Sequence, residues 1–136
     1  MANALYDKGR QGFLEGSIDW DSDTIKAVLI DEALYTVHLA NHDNLDDVPA
    51  GARVGTPQTL TGKTVTNGVA DAADITFPSV PLHDPVEAIL IYKDTGNETT
   101  SRLIAYLNSA TGLPVTPNGG NIAVEWSNDS NRIFKL

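Results

Sequence analysis

The stretch His38-Leu39-Ala40-Asn41-His42-Asp43-Asn44-Leu45-Asp46-Asp47 sets two histidines four residues apart beside three aspartates. Imidazoles and carboxylates are the ligands from which hydrolytic zinc centres are built. Two histidines at i and i+4 grip one ion only when both lie on the same helix, and the helical zinc-protease motif also needs Glu directly after the first His. Leu39 occupies that place. Asn41 is a good N-cap, Asp43 suits a first helical turn and Pro49 ends the pattern, so a short helix near 42–47 begins after His38 and the two imidazoles diverge. The stretch reads as a capped surface turn with solvated carboxylates.

Asp19-Trp20-Asp21-Ser22-Asp23-Thr24 puts aspartates at positions one, three and five of a calcium loop. That loop requires Gly at position six and Glu at position twelve. Thr24 and Ile30 stand there, so the reading is an acidic turn. Nucleophilic catalysis has no better footing: there is no G-x-S-x-G elbow, and no cysteine for a thiol variant. "GLPVTPNGG" lacks the residue order of a phosphate loop and precedes a strand pattern, which makes it a connection between strands. A carboxylate pair for glycoside hydrolysis is defined by spatial separation. Sixteen acidic residues among the first hundred make chance pairs inevitable, so none is singled out. No catalytic, cofactor-binding or metal residue is assigned, and the expectation is a protein that is not an enzyme and holds no cofactor.

Among the aromatic residues, Trp126, Tyr92 and Tyr106 lie in strands that read as buried and should fill the core. Trp20, flanked by Asp19 and Asp21, is expected to be available for a partner contact.

The elements that must position these residues follow from composition and pattern. With 136 residues, 41% of them hydrophobic, the chain has the size of one domain. The expected organisation is a single domain over 1–136, with an N-terminal helical arm at 1–15 and a β-sandwich over 16–136. The net charge is −9, with six basic against sixteen acidic side chains in residues 1–100 and three against two in 101–136. Nowhere do three basic residues cluster, so nucleic acid and anionic membranes are not expected partners. The first residues lack the apolar run of a signal peptide, and no window approaches the roughly 18 apolar residues of a membrane span. A soluble protein without a secretion signal is expected.

Leu5, Tyr6, Phe13 and Leu14 recur near helical spacing, which predicts a helix over 2–15, weakened at Gly9 and Gly12 by about 1 kcal/mol each. "TIKAVLID" is β-branched and apolar on both faces, as in a central strand covered on both sides. "TLTGKTVTNGVADAADITFPSV" reads as short strands joined by tight turns, with Asn67-Gly68 the strongest turn signal. "VEAILIYKD" and "RLIAYLN", joined by "DTGNETTS", predict a hairpin in which Leu103, Ala105 and Leu107 share one face and Ile104 and Tyr106 the other. Ile122, Val124 and Trp126 alternate with Ala123, Glu125 and Ser127 in a strand with one wet face. "SNDSN" then turns into "RIFKL", whose Phe134 and Leu136 suggest docking of that strand. The predicted fold is mainly β: an antiparallel sandwich or barrel of about seven short strands, jelly-roll-like topologies included.

Several blocks in order, "MANALYDKGRQGFLEGSIDWDSDTIKAVLID", "DDVPAGARV", "GVADAADITF", "EAILIYKDTG", "IAYLNSATGLPVTPNGG" and "IFKL", resemble a family of small virion structural proteins of tailed bacteriophages. The resemblance spans nearly the full chain. It implies a non-enzymatic particle component, made in the host cytoplasm and located in the virion. The expected role is a capsid decoration or cement protein that binds the assembled shell as a dimer or trimer, with the major capsid protein or another virion protein as partner. Leu5, Tyr6, Phe13, Leu14, Trp20, Phe134 and Leu136 are the expected interface. A tail, neck or fibre-attachment protein is the second expectation, and a virion-borne carbohydrate-binding module stacking glycans on Trp20 or Tyr35 the third.

Overall fold

Three apolar runs of the sequence become the middle of the principal sheet. The computed structural model describes residues 4–128, 130 and 132–136. Strands β2 (Ile25–Ile30), β7 (Ala88–Lys93) and β8 (Leu103–Leu107) pair antiparallel in the order β8-β7-β2. β1 (Ala4–Leu5) adds to the outer side of β8, and β3 (Arg53–Thr59) to that of β2, giving five strands. A three-stranded sheet runs β10 (Phe134–Lys135), β5 (Val69–Asp71), β4 (Thr64–Thr66), and β6 (Ile75–Phe77) pairs with β9 (Ile122–Val124). The sheets stay open, so the architecture is a layered β-sandwich rather than a closed barrel, and its five-, three- and two-stranded division differs from a jelly roll.

Alternation decides which layer each side chain enters. On one face of the principal sheet Ile25, Ala27, Leu29, Ile89 and Ile91 pack against Phe77, Val124, Ala70 and Trp126 of the small sheets and their flanks. On the other face Val28, Ile30, Leu90 and Tyr92 are covered by Tyr35, Leu45, Val48 and Ala52 from the segment 31–52. That cover contains three short 3-10 turns, Glu32–Leu34, Leu45–Asp47 and Ala50–Ala52. Burial on both faces is what the "TIKAVLID" pattern predicts.

The β7–β8 hairpin forms as expected, but not with the expected faces. Ile91 opposes Ala105 and Tyr92 opposes Leu103, which leaves Ile104 as an extra residue in a bulge. Leu103 therefore joins Tyr106 on the covered face, while Ile104 lies with Ala105 and Leu107 on the other. The Ile104 carbonyl accepts the Tyr6 N–H at 2.9 Å. The bulge thus becomes the seat of the N-terminal segment.

Helix α1 (Asp7–Leu14) is shorter than the expected helix over 2–15, whose residues 2 and 3 lie outside the described ones. Leu5 belongs to β1 and Tyr6 is the N-cap, so the segment is an edge strand followed by a helix rather than an arm. Its buried residues are Gly9 and Gly12. A Cβ on Gly9 would stand 2.8 Å from the Leu103 carbonyl oxygen and 2.9 Å from the Ile104 Cα, so only glycine lets the helix backbone lie on the bulge. At the β4–β5 turn Asn67 (φ 51°) and Gly68 (φ 80°) take the paired positive values of a type I′ hairpin. The "SNDSN" turn includes residues 129 and 131 and falls outside the described ones.

All of the chain's tyrosines are buried, and burial pushes each phenol above its ordinary value of 10.0. Tyr92 is pushed up to about 12, and in Tyr6 and Tyr106 hydrogen bonds to Tyr35 and Glu32 add to the effect of burial.

Two outcomes follow. Gly9→Ala gains about 1 kcal/mol of helix propensity yet should lower unfolding stability by roughly 1–3 kcal/mol through overpacking; a stabilised variant in denaturant titration would refute the contact. A phenol held protonated by the fold stabilises it fully below the unfolded value, and this stabilisation declines as pH rises above it. Tyrosinate absorbance should accordingly stay flat through pH 10.0 and then rise together with loss of the folded circular-dichroism signal, whereas gradual ionisation within a folded protein would contradict it.

Candidate docking surface

An apolar opening forms where α1, the 16–20 segment, the β4–β5 hairpin and β10 meet. Its volume is about 320 Å³, and Phe13, Ile18, Trp20, Ala70, Phe134 and Leu136 line it together with Val65 and Asp19. The floor is an aromatic stack. The Phe134 ring lies 5.7 Å from Phe13 and 5.2 Å from Trp20, the latter in an edge-to-face contact at 86°.

Local structure explains the opening. The Asn67-Gly68 turn sets Val65 opposite Ala70, and alternation points both toward the layer interior with Phe134. Phe13 and Trp20 pack on Phe134 of β10, whereas all three residues of β4 are exposed, Val65 at 55%, and Leu136, just past β10, is 53% exposed at the rim.

Four of the seven expected interface residues meet here: Phe13, Trp20, Phe134 and Leu136. Their states differ. Phe13 and Phe134 are half-buried, Leu136 is exposed, and Trp20 is only 4% exposed, with its indole N–H donating to the Asp71 carbonyl at 3.1 Å. Trp20 is thus a wall of the groove and not the projecting side chain its acidic neighbours suggested. Leu5 and Tyr6 are buried in the chain's own core and offer no contact area. Leu14 is exposed but faces a separate shallow surface with Asp7, Gln11 and Glu15. Tyr35, like Trp20, is buried, which removes the platforms on which glycan stacking was expected. Val65 and Ala70 are the residues that sequence reading missed; the Asn-Gly turn that fixes their register was the available signal.

The charged rim is acidic. Asp19 and Asp23 close the 19–23 turn reciprocally: the Asp19 N–H donates to Asp23 Oδ2 at 2.8 Å and the Asp23 N–H to the Asp19 carbonyl at 2.9 Å. Asp23 is also bridged by Lys93 at 3.1 Å, so it is not presented as a calcium ligand beside the other two. A hydrogen bond from Ser22, then one from Asp21, holds the Asp19 carboxyl below its ordinary value, and the neighbouring Asp19 pushes Asp21 upward.

The histidine stretch is arranged differently from its expectation. The His42 N–H donates to the His38 carbonyl at 2.9 Å, closing a turn that brings the imidazoles into edge contact with centroids 5.0 Å apart instead of letting them diverge. His42 Nδ1 shares a hydrogen bond with the Tyr35 hydroxyl at 2.8 Å, and that hydroxyl another with Tyr6 at 2.8 Å. The short helix begins later than Asn41: Asn44 caps the Leu45–Asp47 turn in a capping box with Asp47. Asp43, Asp46 and Asp47 do bring carboxylate oxygens within 4.8 Å of one another, but Asp47 Oδ2 accepts the Asp43 and Asn44 amides at 2.8 and 3.4 Å. That is a capping arrangement.

No protein-family model and no curated protein matches the chain. Among the described residues no helix is long and apolar enough to cross a membrane.

If Phe134 holds the groove together, Phe134→Ala should cost roughly 2 kcal/mol of stability and shift tryptophan emission to the red as Trp20 loses its edge contact. Leu136→Ser, at the exposed rim, should stay within about 0.5 kcal/mol of the parent. Equal stability of both variants in chemical denaturation would remove Phe134 from that role.

Proposed function

We propose that this chain is a structural component of a tailed-phage virion, a capsid decoration or cement protein that seats on the assembled shell through the groove at Phe13, Trp20 and Phe134. The observation that carries the reading is the exposure of Val65 on β4 and of Leu136 beside an aromatic floor formed by Phe13, Trp20 and Phe134. A preformed apolar pocket of this size admits one or two anchor side chains, the arrangement in which a few desolvated contacts dominate binding. A small interface of that kind holds weakly by itself and gains strength by repetition over a symmetric shell. The sequence blocks that resemble small virion proteins support the same reading, with the major capsid protein as the partner.

The test is occupancy. Particles assembled with Val65→Ser or Leu136→Ser should carry about tenfold less of the protein per shell subunit than particles with the parent chain, measured by quantified gels of purified virions. The parent should be present on the scale of shell subunits rather than tail rings. Normal occupancy of both variants, or a tail-like copy number, would overturn the assignment.

A further inference from the structure

Asp19 is the lining residue with an ionisable side chain, and its carboxyl is hydrogen-bonded to that of Asp21. The basic residues of the neighbouring elements have partners of their own, Arg10 with Asp7 and Arg132 with Asn128 among them. Lys93 pairs with Asp23 at 3.1 Å and donates to the Ser17 carbonyl at 2.7 Å, while Lys63 donates to the Asp23 carbonyl and its charge also reaches the Asp21 carboxyl, opposing the upward push from Asp19. Arg102 lies 3.6 Å from Glu15 and donates to the Lys8 carbonyl at 3.0 Å. Lys135 alternates to the outer face of β10, away from Phe134, and lines a hollow with Thr64, Thr66 and Asp71 there. The Asp19 and Asp21 carboxyls have no ion pair among the described residues, and both are exposed.

An occupant must match an apolar floor and an anionic lip. A second copy of this chain does so poorly, because it brings its own −9 charge and the same acidic lip into contact. We propose that the groove takes a segment of a different protein that inserts one large apolar side chain against Phe134 and sets a lysine or arginine next to it, over Asp19 and Asp21. This rests on the docking reading above and specifies the partner's chemistry. Burial of the apolar anchor supplies affinity, and the adjacent cation selects among apolar segments and steers their approach.

Short synthetic peptides serve as probes: one alternating leucine with lysine, the other leucine with glutamate, each titrated into the full-length, isotope-labelled protein and followed by amide chemical shifts. The lysine peptide should move the amides of Asp19, Gly68, Ala70 and Leu136 and bind about tenfold more tightly than the glutamate peptide. That margin should shrink on adding salt and in the Asp19→Asn/Asp21→Asn double variant, whose amides keep hydrogen-bonding capacity. Equal affinity for both peptides, shifts confined to another face, absence of shifts with either, or groove shifts that appear with protein concentration alone, as a second copy would cause, each overturn the proposal. Particle occupancy separates the two levels: loss with Val65→Ser but not with Asp19→Asn/Asp21→Asn removes the basic partner while keeping the docking role, and normal occupancy with Val65→Ser removes the docking role itself.

Discussion

β2, β7 and β8 are apolar on both faces, and a sheet of that kind is stable only if something covers each side. Their fully buried isoleucines and leucines each contribute on the order of 1.5–3 kcal/mol when withdrawn from water. The chain meets this demand with two unlike covers. One is the 31–52 segment, mostly irregular and pinned by tyrosine hydroxyls. The other is a layer of small sheets that supplies Phe77, Val124 and Trp126. The irregular cover is fixed by polar contacts at its edges: Tyr6 to Tyr35, Tyr35 to His42, and the Tyr106 hydroxyl to Glu32 Oε2 at 2.6 Å. The phenols satisfied there would be costly to bury without such partners.

The second cover determines where the surface is left apolar. In its three-stranded sheet β5 and β10 bring Ala70 and Phe134 to the core, while every residue of the outermost strand, β4, is exposed. Phe134 bridges the two ends of the fold, with Phe13 of α1 on one side and Trp20 on the other. The same ring therefore serves stability and forms the floor of the groove.

Much of this was legible where local pattern and tertiary demand agree. The alternation of Ile122, Val124 and Trp126, the "TIKAVLID" run, the two-strand hairpin and the Asn67-Gly68 turn all appear where the sequence places them, because each is determined by side-chain period or by backbone φ within a few residues. The departures come from contacts made over long separations. Ile104 bulges because the chain must receive Tyr6 and Gly9, and that single extra residue moves Leu103 to the other face. Gly9 and Gly12 look like weak points of a helix, yet they are its contact surface. Trp20 sits between two aspartates, but its indole N–H finds the Asp71 carbonyl across the fold. For the site, Phe13, Phe134 and Leu136 were readable as apolar residues near the ends of the sequence, whereas the burial of Leu5 and Tyr6 and the exposure of Val65 depend on which strands cover which.

Amide hydrogen exchange, compared between the free protein and the protein incorporated in particles, addresses the central claim most directly. The account predicts added protection confined to residues 64–70, 134–136 and the neighbourhood of Phe13 and Trp20, with β2, β7 and β8 unchanged. Added protection restricted to the 31–52 cover, or none anywhere, would contradict it.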